Sequence, residues 1–101
     1  MSLQNFRTYQ LAVEFYRLAD RLRCAAHLKS QLLRAASSVP LNLAEGSEKP
    51  HTADKKRYYV TAFASLRECQ AILDLVPDAP KLAIDTASSL GACLYRLIHP
   101  K

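Results

Sequence analysis

Few residues in this sequence have types and spacings that support metal or redox chemistry. Cys24 and His27 lie three positions apart, so on one helical turn they would form half of a metal site, but no other Cys or His pair completes it. The three cysteines, which include Cys69 and Cys93, form neither a disulfide framework nor a CxxC zinc motif. We therefore expect buried free thiols and no bound metal.

Carboxylates offer one alternative route to chemistry. Glu45 and Glu68 are a candidate pair for metal or acid–base chemistry, although a di-metal site in a helical bundle needs Glu-x-x-His partners that the sequence lacks. The sequence also has no glycine-rich phosphate loop, GxSxG elbow or HExxH motif, and it has only two glycines. These observations predict a protein that is not an enzyme and needs no cofactor.

Positive charge is the remaining chemical signal. Fourteen Lys and Arg against nine Asp and Glu give a formal net charge of +5 and an isoelectric point near 9.3. The basic residues gather around one predicted helix link, at Lys49, Lys55, Lys56 and Arg57, and on one side of the first helix, at Arg7, Arg17 and Arg21. Tyr58 follows the first group and offers a ring for base stacking. Because acidic residues are interspersed, an ordinary solvated surface is the alternative to a phosphate-binding track.

Four stretches with helical periodicity must position these side chains. In the first, a helix from about residue 5 or 8 to about residue 23, the apolar stripe consists of Leu11, Phe15, Leu18, Leu22 and Ala25. In the second, the stripe consists of Leu28, Leu32, Ala35, Val39 and Leu43. Gly46 predicts a left-handed cap that ends the second helix before Pro50. Pro40 predicts a kink near residues 36 and 37, or a break.

The third helix is predicted to begin with Thr52 as N-cap and Asp54 in its first turn. It should run for about 25 residues along the seam of Tyr59, Ala62, Leu66, Cys69, Leu73 and Val76. Residues 58–61 favour a strand by composition, but the helical period on both sides predicts helix. After a turn with two prolines, the last helix starts near Pro80, and its stripe consists of Ala83, Ala87, Leu90, Leu94 and Leu97.

Four amphipathic helices with short links predict an all-α fold, an antiparallel up-down-up-down four-helix bundle that occupies residues 1–101 as a single domain. A domain of this size buries only about two-thirds of its unfolded surface, so self-association would add useful burial. Apolar residues outside the main seam of the second helix predict a homo-oligomer: Leu33, Pro40, Leu41 and Ala44.

One long phrase in the second helix resembles a known family. Residues 31–46 read QLLRAASSVPLNLAEG, and Ser65-Leu66-Arg67-Glu68 follows about twenty residues later. Together they closely resemble the four-helix-bundle family named for proteins encoded in intervening sequences of 23S ribosomal RNA genes, also called the S23 ribosomal protein family. The resemblance covers the chain from Tyr9 through the last helix.

The resemblance implies a bundle that assembles as a ring-like homopentamer and has no established enzymatic activity. It also relates the chain to the accessory variability determinant of diversity-generating retroelements, a basic pentamer that binds nucleic acid and a reverse transcriptase. The chain departs from the family's basic pattern at three places, where it has Leu33-Arg34, Ser47-Glu48 and Phe63-Ala64-Ser65. Relatives commonly carry an additional Arg at each place, so these departures weaken the expectation of tight nucleic-acid binding.

The motif residues that we carry over from the resemblance are Arg34, Pro40, Asn42, Glu45, Gly46, Ser65 and Glu68. We expect a structural or interface role for them. Asn42, Glu45, Ser65 and Glu68 would satisfy backbone groups freed by Pro40, and the carboxylates would pair with Arg34 or Arg57.

Two functions stay open at this point. The first is an RNA- or DNA-binding accessory factor that uses Lys49, Lys55, Lys56 and Arg57 together with Arg17 and Arg21. The second is a scaffold whose ring presents a surface to a protein partner. Residues 1–5 lack the features of a secretory signal, and no stretch approaches the roughly 20 apolar residues of a membrane span. We therefore expect a cytoplasmic protein with no membrane partner.

Overall fold

The computed structural model describes residues 6–100. This part of the chain contains four α-helices and no strand: α1 (Arg7–Arg21), α2 (Ala26–Ser47), α3 (Thr52–Asp74) and α4 (Lys81–Ile98). The all-α prediction is confirmed, and residues 58–61 are helical inside α3, as expected. Within the described residues, no helix combines the length and apolarity that a membrane span requires. The expectation drawn from residues 1–5 lies outside the described residues.

Contacts between helix ends define the arrangement of the helices. Phe6, just before α1, packs edge-on against Tyr59 of α3, with ring centroids 6.3 Å apart. Gly46, near the end of α2, lies against the same tyrosine. Leu97 and Ile98, at the end of α4, line a pocket with Tyr59. The starts of α1 and α3 and the ends of α2 and α4 therefore lie together, which agrees with the predicted up-down-up-down order.

The core is built from the predicted apolar stripes. The largest completely buried side chains come from all four helices: Phe15, Leu32, Val39, Leu43, Leu66, Cys69, Leu90 and Leu94. The stripes deviate from the prediction at four positions. Leu18, Leu28 and Leu97 are half-buried, and Ala25 is exposed because α1 ends at Arg21 and leaves it in the link to α2. Each helix therefore contributes one apolar face to a shared centre, as its periodicity predicts.

Helix α2 runs through Pro40 without interruption and ends at Ser47. The expectation of a broken helix is therefore wrong, while the kink stays a prediction. Pro40 is itself buried, and Val39 and Leu43 beside it have no exposed surface. Because most helical stability in proteins comes from packing, burial of this segment offsets the backbone hydrogen bond that the proline removes.

Gly46 does not form the predicted left-handed cap. No described glycine has a positive φ, and the C-cap of α2 is Glu48 in the right-handed helical region. Gly46 instead permits a close approach of two helices. A Cβ placed on it would lie 2.9 Å from Tyr58 Cβ and 2.9 Å from Tyr59 Cε1, distances that real side chains do not tolerate. Packing of α2 against α3, and not backbone conformation, requires this glycine.

Lysine side chains satisfy carbonyl groups at the ends of two helices. Lys29 donates from Nζ to the Asp20 carbonyl at 2.6 Å and also to the Leu22 carbonyl, at the end of α1. Lys55 donates from Nζ to the Ser47 carbonyl at 2.9 Å, at the end of α2. A cation at this end of a helix also complements the helix dipole.

The start of α3 differs from its prediction by one residue. His51 occupies the N-cap position with extended backbone angles, and its side chain makes no capping hydrogen bond. Thr52 is the first helical residue and not the predicted N-cap. Asp54 lies in the first turn, as predicted, where a negative charge is favourable.

We predict that Gly46→Ala destabilises the fold by about 1–3 kcal/mol, the usual cost of overpacking a close contact. The matched control is Gly91→Ala in α4, where a Cβ would meet only Leu66 Cδ2, at an ordinary 3.5 Å. There, the higher helix propensity of alanine should raise stability by up to about 1 kcal/mol. Urea unfolding followed by circular dichroism measures both. Equal effects of the two substitutions would contradict the packing role of Gly46.

Candidate functional site

A polar network joins α2 to α3. Arg34 forms an ion pair with Glu68, and the hydroxyls of Ser38 and Ser65 share a hydrogen bond of 2.8 Å. Asn42 Nδ2 donates to the Ser38 carbonyl at 2.8 Å and to Ser38 Oγ at 2.9 Å. Motif residues that are distant in sequence therefore meet across one helix interface. The expected pairing of Glu68 with Arg34 is present.

The network does not compensate for Pro40 in the expected way. The proline removes the amide that would bond to the Ala36 carbonyl, whereas Asn42 bonds to the Ser38 carbonyl. The Arg34–Glu68 pair is well exposed, with side chains 65% and 40% accessible, so it contributes at most about 1 kcal/mol. The half-buried hydroxyls of Ser38 and Ser65 favour one register of the two helices, because each would lose its partner across the interface if the helices slid. Asn42 bonds only within α2 and holds the Ser38 hydroxyl in place.

Glu45 and Glu68 do not come together as a carboxylate pair. Glu45 Oε2 lies 3.0 Å from Lys49 Nζ, one turn along α2, while Glu68 pairs with Arg34. Across residues 6–100, no group of three or more His, Cys, Asp or Glu side chains is placed to hold a metal ion. The two carboxylates therefore act as separate ion-pair partners.

Basic side chains concentrate at the end of the bundle where α1 begins, α2 passes into α3 and α4 ends, and we call this the basic end. Its six Lys and Arg residues are Arg7, Lys49, Lys55, Lys56, Arg57 and Arg96. Three acidic residues share this end: Glu45, Glu48 and Asp54. In the rest of the described chain, seven basic residues are set against six acidic ones, which is close to balance. The positive charge of the protein is therefore unevenly distributed.

Two cations of the basic end flank an aromatic ring. Lys49 Nζ lies 5.2 Å from the centroid of the Tyr58 ring, and the Arg57 guanidinium carbon lies 5.7 Å from it. The hydrogen bond to Glu45 raises the pKa of Lys49 above its ordinary value. Tyr58 is half-buried, so it presents part of its ring beside two positive charges.

The cations of the basic end differ in how firmly they are held. Lys55 donates a hydrogen bond to the carbonyl of Ser47, and Arg57 NH2 lies 3.7 Å from Asp54 Oδ1. Lys56 is exposed and forms no ion pair with any residue that the structure describes. Lys56 and the weakly paired Arg57 are therefore both accessible to an external anion.

Arg17 and Arg21 do not join the basic end. They lie in the other half of α1 and line a groove with Val13, Glu14 and Leu82 of α4. The structure therefore does not bring together the two groups of basic residues that the sequence suggested, apart from Arg7, which opens α1 at the basic end.

The apolar surface of α2 is smaller than the sequence suggested. Pro40 is buried, Leu33 is half-buried against the core, and Ala44 is half-buried. Leu41 remains, with 67% of its surface exposed. The homo-oligomer prediction therefore rests on a narrower patch than expected.

Sequence reasoning missed an aromatic pair at the end of α4. The rings of Tyr95 and His99 have centroids 4.4 Å apart and an interplanar angle of 44°, and Tyr95 is 55% exposed. The sequence contains the signal for this pair, because two aromatic residues four positions apart on a helix lie on one face. A histidine near a helix end instead suggests an isolated solvated imidazole, which hides that signal.

A comparison with protein-family models identifies the relatives of this chain. The model described as 23S rRNA-intervening sequence protein matches residues 6–98. The chain belongs to this family. The match spans all four helices, so it includes both the polar network and the basic end. Searches of curated proteins and of solved structures returned no significant match.

Cys69 in this family member lies at the centre of the bundle, next in sequence to Glu68. It has no exposed surface, and burial raises the pKa of its thiol to about 12. Because the thiolate is the reactive form of cysteine, Cys69 is protected both by its pKa and by its position. Cys24 and Cys93 are only partly buried.

We predict that Cys69 resists iodoacetamide in the folded protein at about pH 8.5, while Cys24 and Cys93 react. Mass spectrometry of the labelled peptides measures this, and labelling in urea provides the fully reactive control. Equal labelling rates at all three cysteines in the folded protein would contradict this protection.

The raised pKa of Cys69 also makes stability depend on pH. Between about pH 9 and about pH 12 the unfolded chain releases the Cys69 proton while the folded chain keeps it. The free energy of unfolding should therefore fall as the pH rises through that range.

Proposed function

We propose that this member of the 23S rRNA-intervening sequence protein family is a non-enzymatic nucleic-acid-binding protein whose basic end contacts the phosphate backbone. The observation that carries the proposal is the uneven charge: six basic residues against three acidic ones at that end. A one-sided surplus of positive charge attracts polyanions and orients them before contact. A short structured RNA is the first ligand to test, because it presents many phosphates to a basic surface.

The ion pairs at the basic end do not prevent such contacts. Arg57 is 72% exposed and its distance to Asp54 is 3.7 Å, which is typical of a weak surface pair worth at most about 1 kcal/mol. A phosphate group can therefore compete for this guanidinium. Lys56 needs no exchange of partner, and the half-buried Tyr58 ring beside Arg57 adds a surface for a base or sugar.

Self-association would strengthen binding. We propose a cytoplasmic homo-oligomer, with the pentamer implied by the family resemblance, in which the basic end is repeated around a symmetry axis. Several weak phosphate contacts on one strand then act together, and avidity exceeds the affinity of each site. The exposed Leu41 on α2 supports a contact between subunits. This side chain is 67% accessible, so its burial would remove apolar surface from water and stabilise the contact.

A protein-interaction scaffold is the second candidate function. It is favoured by further exposed apolar side chains on α4, where Leu82 is 59% and Ile84 is 45% accessible. Such residues suit an apolar face on a protein partner better than a phosphate backbone. This function predicts little salt-sensitive binding of nucleic acid.

The double substitution Lys56→Glu with Arg57→Glu should weaken binding of a short structured RNA at least about tenfold. It should also reduce the slope of log affinity against log salt by about one for each phosphate that the protein no longer neutralises. Lys55 is left unchanged because its side chain satisfies the end of α2. Sedimentation velocity at low and at physiological salt measures the binding, and the RNA-free runs report the number of subunits, for which we expect about five.

The matched control for this experiment is Arg23→Glu with Lys81→Glu, which makes the same change in net charge at the opposite end of the bundle. It should leave most of the affinity intact. Equal losses in the two double variants would show that only net charge matters and would contradict a localised site. A complete absence of RNA binding at low salt would favour the scaffold.

A further inference from the structure

The end of α4 presents two aromatic rings that the core does not use. Tyr95 is 55% exposed, and its ring centroid lies 4.4 Å from that of His99. The backbone N–H of His99 donates to the Tyr95 carbonyl at 2.9 Å, which fixes the histidine just beyond the last turn of the helix. The two rings are therefore held side by side at the surface by the helix end itself.

The aromatic pair adjoins the basic end. Gly91, four residues before Tyr95 and on the same side of α4, lies against Leu66 of α3, where a Cβ would be 3.5 Å from the leucine Cδ2. Tyr95 therefore lies on the side of α4 that is nearest to α3. Ile98 and Pro100, the two neighbours of His99, line a pocket with Lys56.

Arg96 adds a second cation beside the rings. It is exposed, and within the described residues its guanidinium makes a 3.4 Å hydrogen bond from NH2 to Cys93 Sγ and no ion pair. The end of α4 thus carries two adjacent rings, with Arg96 next to Tyr95 in sequence and Lys56 in a pocket with the two neighbours of His99. This is the combination that proteins use to bind single strands, because aromatic faces stack on bases while cations contact phosphates.

We propose that Tyr95 and His99 stack on unpaired bases of a single-stranded nucleic acid whose phosphates contact Lys56 and Arg96. The inference rests on the proposed function and narrows its ligand from any nucleic acid to single strands. In a duplex the faces of the bases are already stacked on each other, so a duplex can use only the cations of this surface. Each stacked base makes a sequence-tolerant contact, since every base has a π-face.

The test compares three probes of equal length: an oligo-uridine RNA, an oligo-thymidine DNA and a duplex DNA. We expect both single strands to bind more tightly than the duplex. Tyr95→Leu should weaken binding of the single strands about fivefold or more and leave duplex binding unchanged. Tyr95→Phe, which keeps the ring and removes only the hydroxyl, is the matched control and should bind like the unmodified protein.

The outcomes separate this inference from the proposed function. If Tyr95→Leu leaves single-strand binding unchanged while Lys56→Glu with Arg57→Glu weakens it, the stacking is wrong and the basic end stands. If no probe binds at low salt, both proposals fail. Should Tyr95→Leu fail to fold by circular dichroism, His99→Ala, which lies beyond the helix, replaces it with the same expected loss. Tighter binding of both single strands than of the duplex supports stacking, and equal binding of all three probes contradicts it.

Discussion

The close approach of α2 and α3 at Gly46 is the constraint on which the rest of the structure depends. Because this position has no side chain, Tyr58 and Tyr59 lie directly against the backbone of α2. The ring of Tyr59 also packs against Phe6, just before α1, so a third helix contacts the same point. Burial raises the pKa of Tyr59 above its ordinary value, which agrees with its position between these helices.

The same approach sets the register of the interface and the charge of one end. Farther along the two helices, Ser38 meets Ser65 and Arg34 meets Glu68, contacts that require α2 and α3 to keep one alignment. Near Gly46, Lys55 Nζ donates to the carbonyl of Ser47 in the last turn of α2. These contacts build the helix pair, and the basic residues that the pair gathers form the end to which we assign binding.

The sequence predicted the helices well because their apolar stripes repeat over many turns, and errors at single positions average out. The prediction was wrong at positions where one residue type can have two different structural roles. Gly46 suggests a cap because glycine tolerates positive φ, whereas its use is close packing, which depends on a residue of another helix. Pro40 suggests a break in α2, but burial of its neighbours outweighs the lost hydrogen bond.

The candidate site was predicted in part. The basic link between α2 and α3 is present, but Arg17 and Arg21 lie elsewhere. The position of Tyr95 depends on how α4 packs beside α3, and the spacing of residues in the sequence does not show that packing.

The most direct test of a localised nucleic-acid surface is a lysine footprint with and without a single-stranded oligonucleotide. The described lysines suit this test, because Lys49, Lys55 and Lys56 lie at the basic end and Lys29 and Lys81 lie at the other. Acetylation followed by mass spectrometry reports each side chain separately. A surface at the basic end predicts that the oligonucleotide protects Lys56 most strongly and leaves Lys29 and Lys81 as reactive as before. Uniform protection of all five lysines, or protection confined to Lys29 and Lys81, would contradict it.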